Sequence, residues 1–176
     1  MGFFSSDFYN TIKNERLEGI LQSAFTYEQG RGAMVVRACN LIITEHFLVI
    51  RYDPSINVAS GIFGFATINN FKSNIDNSRV VPGSKKIVAD LAIDPKSISQ
   101  AVPLENIELV SVLCFTVDGG WLEDHKVEVG LVHFKINGKF LGIRENIIFS
   151  QSQYENVIKL FEQTQLSSKM GCICLA

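Results

Sequence analysis

The stretch from Lys126 to Gln163 constrains this chain most, because a turn signal, two apolar runs and an amphipathic segment follow one another there. Asn137-Gly138 lies between the apolar runs, and Asn-Gly favours a two-residue type I′ turn because both central residues need positive φ. With that turn, Ile136 faces Lys139, Phe134 faces Leu141 and Val132 faces Ile143, which gives the hairpin one mostly apolar side. His133, Lys135 and Arg144 fall on the other side. Beyond it, Ser150 is placed to cap a helix, with Gln153 three residues on and Phe149 positioned to pack on Tyr154. Tyr154, Val157, Ile158 and Phe161 recur at helical spacing, so the helix carries an apolar stripe that must lie on something. The expectation is a sheet with an apolar face closed by a final helix.

The rest of the chain is consistent with one domain. Its 176 residues are 47% apolar and 19% charged, enough to bury a sizeable core. A net charge of −2 supplies no basic stripe, so a nucleic-acid partner is not expected. The 13 Phe against one Trp point to a core or an interface rich in rings without polar tips. The longest apolar run, Ile56 to Ile68, falls short of a membrane span and is broken by Gly61 and Gly64. The first ten residues lack the basic start and apolar run of a secretory signal, so a cytoplasmic protein is expected. Cys39 and Cys114 lie inside apolar runs and are expected to be reduced core residues.

In chain order, Thr11 to Phe25 is expected to be a helix, with Ile12, Leu17, Ile20, Leu21 and Ala24 on one face. Glu28 to Gly32 supplies a turn. Ala33 to Cys39 and Leu41 to Tyr52 have strand composition. Asn40 is a turn or bulge between them, or else Thr44-Glu45-His46 is the tip of a hairpin. Residues 56–96 form an insert of uncertain structure, with Pro82-Gly83 as a turn and Ile87 to Ile93 either strand or helix. Ile107 to Val117 is a strand. Val127 and Val129 are apolar at odd positions and Val132 and Phe134 at even ones, a change of phase that predicts a bulge at Gly130. Helix, strands, insert, strands and closing helix together describe an α+β domain or small capped barrel.

Three segments resemble bacterial-type pleckstrin-homology-like domains: LIITEHFLVIRY (Leu41 to Tyr52), VPLENIELV (Val102 to Val110) and FSQSQYENVIKLFEQ (Phe149 to Gln163). The opening MGFF is similar as well. The resemblance covers about half the chain and implies an antiparallel sheet or partly open barrel capped by a C-terminal amphipathic helix, here with an extra N-terminal helix. It divides the chain into a leader and helix (1–30), the domain with its insert (31–166) and a flexible tail (167–176). It also implies a non-enzymatic binding or assembly module. Relatives that bind phosphoinositides use a basic cluster in the first inter-strand loop. Only Arg31 and Arg37 lie near Cys39 and Asn40, so self-association or a protein partner is expected instead.

No metal, cofactor or catalytic site is expected. The histidines His46, His125 and His133 have no ligand-like partner at helical spacing. Asp124-His125 lacks a nucleophile elbow to serve, and Gly61, Gly64, Gly119 and Gly120 do not build a phosphate loop. Three groups of residues remain as candidates. Ile62, Phe63 and Phe65 form an interface patch or ordinary core. Arg79, Lys85 and Lys86 could contact an anionic surface, against the reading of a solvated loop. Gly2 with Ser6 fits N-myristoylation, and Cys172 and Cys174 could be palmitoylated, which together would anchor a membrane-peripheral adaptor. A small enzyme with its site in the insert is the third function class.

Overall fold

A computed structural model describes residues 5–30, 33–53, 72–118, 126–137 and 146–172. Among them, eight strands form one antiparallel sheet: β1 (Leu17–Gly30), β2 (Ala33–Thr44), β3 (Phe47–Tyr52), β4 (Arg79–Pro82), β5 (Ile98–Pro103), β6 (Ile107–Asp118), β7 (Lys126–Ile136) and β8 (Asn146–Ser150). Their order is β5-β3-β2-β1-β8-β7-β6, and β4 pairs with β1 beside β8. The sheet is not closed, and β5 and β6 are its end strands. The α-helices α1 (Ser5–Ile12) and α2 (Tyr154–Glu162) pack on it, and residues 72–75 are helical as well.

Both faces of the sheet are covered. Leu41, Leu48 and Val102 from one end share a core with Val110, Phe134 and Phe149 from the other, so the sheet curls around them. Val157, Leu160 and Phe161 of α2 fill that concavity, and the Phe161 ring meets Phe134 edge-on at 5.9 Å. On the convex face, Ile12 of α1 and Val88 cover Ile20, Ile42, Val49 and Ile98. Farther along, Ile75 packs with Phe25, Val117, Val129 and Ile148.

This double covering explains where the sequence expectations fail. The helix expected over Thr11 to Phe25 is a short helix ending at Ile12, followed by β1. Irregularities between Leu17 and Gly19 and between Leu21 and Ala24 shift the phase of β1, so its apolar residues fall at near-helical spacing. Ile20 and Leu21 are adjacent yet both buried, one in each core. β1 therefore belongs to the sheet and not to a leader.

No bulge exists at Gly130, which pairs regularly with Cys114 on one side and Phe149 on the other. The change of apolar phase marks two cores: Val129 and Leu131 serve one, Val132 and Phe134 the other. Glycine is needed there because a Cβ would run into the Phe149 ring.

The two-residue turn register at Asn137-Gly138 is also overturned. Val132 pairs with Ile147 instead of Ile143, four residues farther on. A shift of four keeps every side chain on its expected face, so hydrophobic alternation cannot distinguish the two registers. Ile147, Ile148 and Phe149 are fully buried, as a strand between two cores requires. Gly138 lies outside the described residues.

β2 runs continuously through Asn40, and the hairpin tip is at Glu45-His46, where Thr44 Oγ1 accepts from Phe47 N at 3.0 Å. Asn40 Oδ1 instead accepts the Ser23 N–H at 2.9 Å, holding the β1 irregularity in which Ser23 has φ 54°. Ile87 to Ile93 contains a 3-10 turn, Val88–Leu91. Ser150 does not cap α2: a 3-10 turn, Gln151–Gln153, intervenes, and the Ser150 hydroxyl meets that of Ser152. The segment from 167, expected as a tail, completes a 3-10 turn and then meets β6 through Met170 and Gly171.

Candidate functional site

The outer edge of β6 is the feature that the fold leaves incomplete. Its inner edge is paired with β7 from Ile107 to Asp118. On the outer side the chain returns after α2 through a 3-10 turn, Gln165–Lys169, and Met170 bridges Val110 in parallel. Gly171 N–H donates to Val110 O at 3.0 Å, and Ser111 Oγ donates to Gly171 O at 2.7 Å. Lys169 Nζ anchors the segment on Leu104 O. The next outward carbonyl, that of Val112, accepts the Tyr154 hydroxyl at 3.2 Å. Burial, with Cys114, Glu155 and Cys172 nearby, pushes the Tyr154 phenol above its usual range, so it stays a donor.

Alternate residues of a strand direct their backbone groups the same way. Since Val110 and Val112 point outward, so do Cys114 and Thr116. Among the described residues, nothing pairs with the outward N–H and C=O groups of these two, and both residues are exposed. Leu113, Phe115 and Val117 lie on the convex face, where the Phe115 ring meets Tyr27 edge-on at 5.4 Å. The opposite end strand is better protected: β5 has six residues, ends in Pro103 and lies against α1.

The sequence candidates are placed as follows. Ile62, Phe63, Phe65, Gly2, Cys174, Asp124 and His125 lie outside the described residues, as do the four glycines weighed as a phosphate loop. Arg79 is exposed, and its Nε donates to Gln22 Oε1 at 2.6 Å. Lys86 lies beside Leu17, whose N–H donates to Lys86 O at 3.0 Å. Arg79 pairs opposite Gln22, five positions along β1 from Leu17. Cys172 is exposed. Cys39 is buried as expected, and desolvation pushes its thiol up to about 12. Cys114, expected in the core, is exposed, because β6 extends past the part that α2 covers.

Several polar side chains among the described residues pair with one another. His46 Nδ1 lies 3.0 Å from Glu15 Oε2, which also accepts the His46 N–H, tying the hairpin tip to the start of β1. His133 Nδ1 lies 2.8 Å from Asn146 Oδ1. Arg16 pairs with Glu45 at 2.8 Å, and Lys135 with Glu108 at 2.8 Å. Arg37 lies over the Tyr52 ring, 5.6 Å from its centroid. Among the described residues, no group of three or more His, Cys, Asp or Glu could hold a metal, and no helix is long and apolar enough to cross a membrane.

No protein-family model matches the chain, and neither a curated protein nor a solved structure matches it.

Sequence reasoning missed Thr116, Phe115 and Tyr154 as a group. Leu113 to Val117 is apolar apart from Thr116, so nothing in the run separates a covered strand from an open one.

Proposed function

We propose that the protein is a non-enzymatic, pleckstrin-homology-like binding module acting through self-association or a protein partner. The observation that carries this reading is the β6 edge, which among the described residues offers unpaired backbone donors and acceptors beside apolar side chains. Such an edge binds an added strand through main-chain hydrogen bonds. A curled antiparallel sheet with a C-terminal helix in its concavity supports the family resemblance. Light scattering of the purified protein, together with pull-downs from its host, tests the reading. An oligomer or a retained partner is expected; a strict monomer that retains nothing would overturn it.

A further inference from the structure

We propose that the β6 edge pairs antiparallel with β6 of a second copy, about a two-fold axis at Phe115. This inference rests on the self-association arm of the function proposed above.

The open stretch sets the register. Gly171 occupies the edge at Val110 and the Tyr154 hydroxyl at Val112, while the strand ends at Asp118. Inside the strand, Cys114 and Thr116 have both outward groups free among the described residues, Asp118 being its terminal residue, and the midpoint of the two is Phe115. Outward-facing residues must pair with outward-facing residues. An axis at Phe115 therefore sets Cys114 opposite Thr116 of the second copy, and Thr116 opposite its Cys114, with all four outward groups of each chain bonded.

Side chains and charge agree with that register. Phe115 then faces its own copy in a non-hydrogen-bonded pair, the closer of the two antiparallel spacings, where aromatic pairs add to sheet stability. The half-buried Phe115 rings, each already against Tyr27, gain cover. No charged side chain lies between Leu109 and Val117, so the paired segments bring no like charges together. An isologous contact of this kind closes on itself and stops at a dimer.

Two exposed-site variants test the proposal. In Thr116→Pro the outward N–H is lost, a change that an edge strand tolerates. In Thr116→Lys a charge is added beside the axis while the N–H is kept. The wild-type protein is expected to dimerise, and both variants to weaken the dimer at least about tenfold while keeping the wild-type circular dichroism spectrum. Thr116→Cys should give a disulfide-linked dimer on treatment with diamide, through Cys114 of the other chain, and Cys114→Ser should abolish that link. A dimer indifferent to both edge variants would overturn this interface while leaving self-association standing. A monomer whose retained partner is lost in Thr116→Pro would overturn the second copy as occupant, and a monomer retaining nothing would overturn the underlying function as well.

Discussion

Ser78 shows how much one hydroxyl can hold in this fold. β1 pairs with β4 over Gly19 to Gln22 and with β8 over Phe25 and Thr26, so its partner changes at Ser23. The buried Ser78 fills that break: its Oγ accepts the Ser150 N–H at 3.1 Å and lies 2.8 Å from Ser23 O and 2.6 Å from Ile75 O as donor. Ser78→Ala would leave the Ser150 N–H buried without a partner, and urea denaturation should show a loss of about 1–3 kcal/mol. Gly130→Ala should cost about as much, since its methyl would have to displace the Phe149 ring. Glu18 gives a pH signature. Desolvation dominates over Arg16 and raises its carboxyl pKa, and its Oε2 is buried with no hydrogen-bond partner. A carboxyl raised in the folded state binds its proton more tightly there, so its ionisation opposes folding as pH rises through the interval above the ordinary carboxylate range. Glu18→Gln should therefore melt higher than wild type at pH 7, with the difference vanishing near pH 4. An unchanged difference at both pH values would contradict this.

Individual elements differ in how far the sequence revealed them. β2, β3 and β6 were legible as dense Val, Ile and Leu runs, and the stripe on α2 was legible because helical spacing survives whatever it packs against. β1 was not legible, because its two irregularities turn a strand pattern into a near-helical one. β5 was hidden by its shortness and by Pro103. The β7–β8 register could not be read because two alternatives four residues apart have the same faces. For α2 the structure makes a specific demand. Phe161 is fully buried against Phe134, so Phe161→Ala should cost about 3–5 kcal/mol, measured by chemical denaturation. Ile158, half-exposed at the margin of the stripe, should tolerate alanine with a much smaller loss.

At the scale of the whole molecule, the sheet is covered on both faces and protected at the β5 end, and among the described residues it is open along the last third of β6. Composition could indicate a large core, but not which edge remained unpaired, because that depends on where the chain after α2 returns. Gly171 and Tyr154 determine it, and neither carries a sequence signal for the role. The central claim is that this edge pairs between molecules. Amide hydrogen exchange at Cys114 and Thr116, followed as protein concentration is raised through the association range, tests it most directly. Exchange at both amides should slow as the oligomer forms, while the Ile42 amide in the sheet interior stays slow throughout. Fast exchange at Cys114 and Thr116 in a fully associated sample would contradict the account.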